Sequence, residues 1–585
     1  MEDFEATEYD VIILGGGLAG LTLARQLLRE TGKRILHLER RTKIPATRQK
    51  VGEATVQLSA YYYGKVLDME EHLLHEHLMK YNLRFLWKTP RSNDEDYGEY
   101  SQSYIRQLSN IPCYQIDRNK FEAELIAMNG TDSRWELVTG IQELKVNLNK
   151  GRAHEVGFKV GEAERKVTAA WIVDATGRGR FLARKQGLDR TGEIRHNTSF
   201  FWVDGIINIE KLTPASPQGI RLRKTRSKLG HLPTWLATNH FMGKGYWFWV
   251  IPLQGRTSFG LVYDSSLVDP ALVSTQEGLL AWVYENFPLF KSGLEGKPIV
   301  DFTRLPDFAH DCEYTISEDR WAMTGEAGRF TDPLYSPGGD SIAIHNTLIV
   351  DAIKAANESD LKSKVSLYEP MLKSFYQSFV PSYCRSYRCL GDQEAFSMKY
   401  IWELSVYFSF YVFPFVNDMF TERAFLLSFF SRFATLGPIN RNVQEYITDF
   451  FDWKREVGMD PPDLSFFEFT LAEPLMRAED AFYKVGLTPE EVIAELDKHL
   501  INLKELALAL VAHIDSVVAG NPALLYSREH IAKIDLKKLS FNRNPVSSGS
   551  ADMFPERDPY PWTWDVSAFR KHFHSQGVPQ GAETA

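Results

Sequence analysis

The chain has 585 residues, enough for an extensive core and more than one unit usually holds, so two closely packed units with extensions are expected. A formal net charge of −9, without a long Lys/Arg run, argues against nucleic acid as a partner. Only 4 cysteines occur, which suits a reducing cytoplasm rather than a disulfide framework.

The acidic start Met1-Glu2-Asp3 does not read as a secretory signal. Asp10 to Leu14 is a short β-branched run that reads as a buried parallel strand. Gly15, Gly17 and Gly20 follow with dinucleotide spacing: one glycine for the turn, one for a close pyrophosphate, one for helix packing. Leu18 and Ala19 then open a helix to Leu28 whose N-terminus faces that pyrophosphate. A second strand, Arg34 to Leu38, ends at Glu39 and Arg40, where an acid usually takes an adenosine ribose hydroxyl.

Residues 51–80 read as helical, and 145–175 as strands around a turn at Asn149-Lys150-Gly151. Aromatic and β-branched runs over 198–264 predict an antiparallel sheet. Trp247 and Trp249 share one face of such a strand, because side chains alternate. Ser274 and Glu277 suggest a capping box opening a helix to Asn286. Asp332-Pro333-Leu334-Tyr335-Ser336-Pro337-Gly338-Gly339 leads into an apolar helix from Ser341 to Ile353, and amides at such an entry suit an anion.

Beyond 341 the pattern is helical, with a capped start at Thr488-Pro489-Glu490-Glu491. Tyr400 to Val416 is aromatic almost all round. It is too short for a membrane span, carries Glu403 and is broken by Pro414, so no transmembrane segment is expected. It reads as a core helix pair with Ala424 to Phe433, as a greasy substrate lid or tunnel, or as a membrane-surface contact. The tail from 541 is rich in Pro, Ser and Gly, and Gln576 to Ala585 is expected to be disordered. Cys384 and Cys389 lack zinc spacing, and no metal site is expected.

Several motifs together resemble the flavin-dependent halogenases of the tryptophan-halogenase type. Trp247-Phe248-Trp249-Val250-Ile251-Pro252 matches that family's marker, and Gly52-Glu53-Ala54-Thr55 its flavin-side segment. Asp117-Arg118 with Phe121, Asp174 to Arg178 including Gly177, and Gly325-Glu326-Ala327-Gly328 resemble FAD-binding segments shared with FAD monooxygenases, with Glu326 where aspartate is usual. The resemblance covers roughly residues 8–355, discontinuously.

The resemblance implies a mixed α/β fold. FAD-binding Rossmann-type segments (8–55, 110–185 and 318–355) interleave with an antiparallel substrate sheet at about 190–315, making one unit over 1–355. A helical substrate-covering region follows over 356–540, then a tail over 541–585. It implies a cytoplasmic two-component enzyme of secondary metabolism. Reduced FAD would come from a separate flavin reductase, since no second dinucleotide fingerprint is visible, and chloride or bromide would be the other reactant. The substrate would be a small aromatic, free or tethered to a carrier protein.

By the same resemblance Lys80 is the catalytic lysine that holds oxidised halogen, with Lys65 and Lys88 as weaker candidates. The family often has glycine two residues after that lysine, where this chain has Asn82. Ser336, Pro337, Gly338 and Gly339 are the expected halide site, with Ser336 also catalytic. Trp247, Trp249, Glu53 and Tyr335 are expected along the oxidant and substrate channel. Tyr335 replaces a glutamate that accepts a proton in tryptophan halogenases. That replacement points to phenolic, pyrrolic or polyketide-type rings, which need less help from a base. A flavin monooxygenase on the same scaffold and a non-halogenating flavin-binding subunit remain the alternatives.

Overall fold

A computed structural model describes residues 8–90, 94–212, 233–459, 464–545 and 562–574. Tyr9–Leu14 lies inside an eight-stranded sheet, parallel to Ile35–Glu39 on one side and Ala163–Asp174 on the other. Its residues are almost all buried, which explains the unbroken apolar run. Leu18–Glu30 connects the first two strands. Trp321–Met323 joins Ala163–Asp174 in parallel, bringing a distant segment beside the fingerprint. The strands expected over 145–175 form as His154–Val160 and Ala163–Asp174, an antiparallel pair.

A second eight-stranded sheet runs Ile299–Leu305, His196–Asp204, Arg256–Asp264, Tyr246–Leu253, Thr238–Gly243, Leu83–Trp87, Ser101–Tyr104, Phe466–Glu468. The expected antiparallel core is there, but the sheet reaches outside 190–315. Leu83–Trp87 adds in parallel to Thr238–Gly243, and Phe466–Glu468 in parallel to Ser101–Tyr104. Such short strands carry little periodic signal of their own, and partners far along the chain decide them.

Three expectations are corrected. Residues 51–80 are not continuously helical: helices span Gln57–Tyr61 and Glu70–Glu76 with a wide turn at Tyr62–Val66, and Leu78–Met79 is a strand. The expected capping box at Ser274 is displaced by one residue. Thr275 Oγ1 accepts from the Gly278 amide at 3.0 Å and opens Gln276–Asn286. The apolar helix starts at Pro337, four residues before Ser341, because proline is preset for the first helical position. Part of the Pro/Ser/Gly-rich tail packs into the core. Trp564, Val566 and Phe569 are buried, and the Phe569 ring stacks on Phe467 at 5.1 Å. Gln576 to Ala585 lies outside the described residues.

The C-terminal part is helical as expected, with long helices Glu358–Cys384, Arg423–Glu456 and Pro489–Val518. Thr488 and Glu491 close a reciprocal capping box, at 3.3 and 2.8 Å. Gln393–Tyr407 continues through a widened turn, Phe408–Val412, into Phe413–Val416. Pro414 accounts for the widening, since its ring crowds the carbonyl four residues earlier. Nearly all aromatic side chains over 400–416 are buried. Among the described residues no helix is long and apolar enough to cross a membrane.

Candidate active site

The fingerprint glycines have distinct jobs. Gly15 has φ +108°, and a Cβ there would lie 2.4 Å from the Ala175 carbonyl oxygen. A Cβ at Gly20 would meet the Gly15 oxygen at 2.3 Å, so helix and turn could not close. At Gly17 a Cβ would meet nothing within 4 Å, and no side chain caps the helix there. Its first amides therefore face open space of the kind a pyrophosphate fills.

Glu39 is buried and braces this loop, accepting from the Gly16 amide at 2.7 Å and the Arg41 amide at 2.8 Å. Arg40 is exposed beside it. Asp174 corrects an expectation. Its carboxylate is buried, and its two oxygens accept from the Thr176 and Leu182 amides at 2.8 and 2.6 Å. That short arm is spent shaping the turn at Gly177, which has φ +58°, rather than reaching a cofactor.

Leu18, Gly52, Ala54, Arg118, Glu326 and Pro333 gather around one cavity, with Ala19 packed nearby under Gly325. Arg118 binds the Val51 carbonyl at 2.8 Å and Glu122 at 2.6 Å, while its buried Nε has no partner. Free helix amides, one unclaimed guanidinium donor and an apolar lining fit FAD.

Trp247, Trp249 and Ile251 line the same cavity on one face of Tyr246–Leu253, the indoles 5.6 Å apart. Both rings are pinned. Trp249 Nε1 donates to Ser258 Oγ at 3.0 Å, which also receives Gln49 Nε2 at 2.6 Å. Trp247 Nε1 donates to the Tyr387 hydroxyl at 2.6 Å, and Tyr387 donates to Asp332 Oδ2 at 2.9 Å. Asp332 also holds His196 Nδ1 at 2.6 Å and the Leu334 amide at 2.8 Å. The indole wall and the Asp-Pro-Leu loop are thus one hydrogen-bonded unit. Glu53 is buried in this cavity and accepts from Trp202 Nε1 at 2.6 Å; burial pushes its carboxyl up to about 7.

Tyr335 and Ser336 have φ +67° and +61°, a left-handed pair that costs roughly 1–2 kcal/mol per residue. The Ser336 amide donates to the Pro333 carbonyl at 2.9 Å and is not available to an anion. Pro337 has no amide hydrogen. Of the expected halide residues, Gly338 and Gly339 therefore supply the free helix-entry donors, and both face the flavin-side cavity with Ser336. A Cβ at Gly339 would sit 2.9 Å from the Ser59 Cβ, so this entry also needs glycine for packing.

A second, more aromatic cavity lies behind this wall. Val56, Gln57, Tyr335, Pro337 and Asp340 face it, while Thr55, Ser336, Gly338 and Gly339 face the first cavity. The two segments are the partition. Lys80 lines the second cavity, and its buried Nζ donates to the carbonyl of Thr55, which lines the first. Burial lowers the ammonium from its ordinary range. Lys65 and Lys88 face other ways, in ion pairs with Glu70 at 2.7 Å and Asp94 at 3.0 Å. Asn82 has φ +65°, the backbone shape a glycine would take. Its side chain donates to the Ile105 and Gln107 carbonyls at 2.8 and 2.6 Å. The glycine-to-asparagine departure leaves the turn after Lys80 intact.

Sequence reasoning missed Asp340. Its carboxylate accepts from the Ser59 amide at 2.8 Å, interacts electrostatically with Lys80 and is pushed up to about 6 by burial. Asp340 thus places a buried carboxylate in the same cavity as Lys80, five residues beyond Tyr335. Glu403 and Glu479 also line the cavity, as do Tyr400, Tyr407 and Tyr411. The 400–416 segment is therefore both core and cavity wall. A lone Asp after Gly-Gly has no motif of its own; only its helical position beside Lys80 marks it.

Residues 13–73 match the NAD(P)-binding Rossmann-like domain family. The chain is 27% identical over 435 residues to flavin-dependent halogenase chlA of Dictyostelium discoideum, covering 68% of this chain and 70% of that protein. It is 23% identical to a 1H-pyrrole-2-carbonyl-[peptidyl-carrier protein] chlorinase of Pseudomonas fluorescens, covering 65% and 84%. The fold is similar to the crystal structure of halogenase PltM, with a TM-score of 0.59 at 17% identity, over 84% of this chain and 97% of that one. The chain is thus similar in sequence to flavin-dependent halogenases and shares its fold with a halogenase of known structure.

Proposed function

We propose that this enzyme halogenates an electron-rich aromatic, phenolic before pyrrolic, in secondary metabolism, using chloride or bromide and reduced FAD from a separate reductase. The observation that carries the reading is Lys80, buried in the aromatic cavity with its ammonium on the carbonyl of a flavin-cavity residue. Bound reduced FAD, with oxygen and halide, supplies hypohalous acid on the Thr55 side. The Gly338 and Gly339 amides hold the halide there, and the pinned Trp247–Trp249 pair keeps organic substrate out.

Lys80 orients the oxidant by hydrogen bonding, or carries the halogen as a haloamine, at the only step where both cavities are involved. Asp340 accepts the phenolic proton and so raises the ring's nucleophilicity. A ring carbon bonds to the halogen as the oxygen–halogen bond of the hypohalous acid breaks. From a haloamine, already formed with release of water, the nitrogen–halogen bond breaks instead and the amine is returned. The ring proton then leaves, and hydroxide released on the first route is protonated to water.

Turnover with a flavin reductase, FAD and bromide, against a panel of phenols, pyrroles and indoles, tests this by mass spectrometry. A bromine isotope doublet is expected with wild type. Lys80→Ala is expected to lose that product while reduced flavin is still oxidised. An oxygenated product without halogen, formed equally well by Lys80→Ala, would make the enzyme a hydroxylase instead.

A further inference from the structure

Lys80 does not stand alone in its cavity. Leu78–Met79 pairs antiparallel with Tyr114–Gln115, Met79 lying opposite Tyr114. The Lys80 amide donates to the Cys113 carbonyl at 2.8 Å, so the ladder runs one pair further and sets Lys80 opposite Cys113. Residues opposite each other in such a ladder hold their Cβ atoms about 4.5–5.5 Å apart on one face. Both side chains are buried and line the aromatic cavity. Thr55 brings the reactive ends together. Its amide donates to the Tyr114 carbonyl at 2.9 Å and its hydroxyl accepts from the Tyr114 amide at 2.7 Å, which fixes it one residue from Cys113. The Lys80 ammonium, bound to the Thr55 carbonyl, is therefore folded back toward the cysteine's strand. The Lys80 charge and the Thr55 side chain both act on the Cys113 thiol.

The halogenation step uses no thiol, yet this position puts one in the oxidant's path. Cys113 carries the sole sulfur among the described lining residues of the cavity. Its five tyrosines, Tyr335, Tyr383, Tyr400, Tyr407 and Tyr411, are held as neutral phenols by burial, so none is an activated ring. Burial also pushes the Cys113 thiol up to about 11. A protonated thiol is a slower nucleophile than a thiolate, so a bound phenol that has lost its proton takes the halogen first. With the cavity empty, the sulfur is the most readily oxidised group beside Lys80.

Resting on the halogenase reading, we infer that Cys113 is a modification site: without substrate it takes the oxidised halogen and closes a nitrogen–sulfur bond to Lys80. The sulfur attacks the halogen of hypohalous acid, giving a sulfenyl halide and water. Burial lowers the Lys80 ammonium, which makes the neutral amine available. That amine displaces halide from the sulfur and loses a proton. In sum, hypohalous acid, thiol and amine give sulfenamide, halide, a proton and water; sulfur loses two electrons and the halogen gains them. The joined lysine has no amine left to orient an oxidant, so turnover stops. A small-molecule thiol attacks the sulfur and frees the amine, leaving a mixed disulfide. A second thiol then releases Cys113. The enzyme thus switches itself off when oxidant outruns substrate.

The test has a chemical arm and a turnover arm. Full-length, FAD-loaded wild type, without reductant or aromatic substrate, receives one equivalent of hypobromous acid and is digested for mass spectrometry. The peptides holding Lys80 and Cys113 are expected joined, lighter by two hydrogens than their sum, and separated by dithiothreitol. Wild type is also preincubated with flavin reductase, FAD and bromide but no aromatic. Its later bromination of a phenol is expected to fall about fivefold or more and to recover with dithiothreitol. Cys113→Ser, compared with its own untreated sample, is expected to fall less than twofold. Cys113 found free, or only as sulfinic or sulfonic acid, overturns the inference, and this wild-type result stands even if the variant fails to fold. Turnover that survives preincubation, or an equal loss in Cys113→Ser, also overturns it. An absent link alongside a brominated phenol leaves the halogenase reading standing. A link made by added hypobromous acid, with no brominated product in any turnover assay, sinks only that reading.

Discussion

Asp340 shows how much a single buried side chain changes the chemistry available. Its carboxyl is pushed up to about 6 by burial, opposed by hydrogen bonds from Ser59 and Tyr407 and by Lys80. It must be ionised to accept a proton, so the rate should rise as pH passes upward through about 6. Asp340→Asn should cut kcat by roughly 100-fold or more and remove that acidic limb, while reduced-flavin oxidation continues. A pH–rate profile of bromination in both proteins decides it; an unchanged limb in the variant removes Asp340 from the proton path. Gly17 makes a separate case at the same scale. A Cβ there meets no protein atom within 4 Å, so Gly17→Val should fold with a melting temperature near wild type. Its branched side chain would occupy the pyrophosphate space, and FAD retention on gel filtration should be lost.

At the scale of elements, what matters is how a strand is tied to a loop. Tyr387 is fully buried and joins the Trp247 indole to the Asp332 carboxylate, so the indole pair and the Asp-Pro-Leu loop form one hydrogen-bonded unit. Tyr387→Phe removes one hydroxyl and leaves the Trp247 indole N–H without a partner, while Asp332 Oδ2 keeps His196, a cost of about 1–3 kcal/mol. Loosening the wall should show as uncoupling, with less halogenated product per reduced flavin consumed at similar FAD affinity. Measuring both quantities together checks this; loss of FAD with coupling intact would mean that Tyr387 supports only the fold.

For the whole molecule, the described C-terminal piece closes the structure from outside. Phe569 is buried against Phe467, and His574 Nε2 meets Glu394 Oε1 at 2.6 Å, an oxygen shared with His513 at 2.8 Å. Phe569→Ala should lower stability by about 3–5 kcal/mol in a denaturant titration. Acid should do the same more broadly. Burial pulls His37 and His499 down to about 4, and His77, His240 and His345 down to about 3. Each therefore takes up its proton first in the unfolded chain, near its ordinary value of about 6.5. Stability is full above that pH and declines as pH falls from 6.5 toward 3–4. Glu394, held well below its usual range by Lys454 and His574 against its burial, adds a loss in the same direction at lower pH. Melting temperature should drop by several degrees between pH 7 and pH 5; a flat profile would contradict the burial of these imidazoles.

The local motifs were legible in the chain because their physics is local. A β-branched run, three spaced glycines and a helix start are written within twenty residues. Alternation along a strand is enough to put Trp247 and Trp249 on one side. The distance from the fingerprint to Lys80 was readable only through family resemblance. What tertiary structure alone decided is everything that depends on residues meeting across the fold. Asp340 came to share a cavity with Lys80 because a helix began at Pro337, and Asp174 proved to be spent on its own turn. Phe466–Glu468 found an edge more than 360 residues upstream, at Gln102 to Tyr104. Periodicity and propensity describe neighbours along the backbone, whereas burial, charge pairing and strand partnership are settled by neighbours in space.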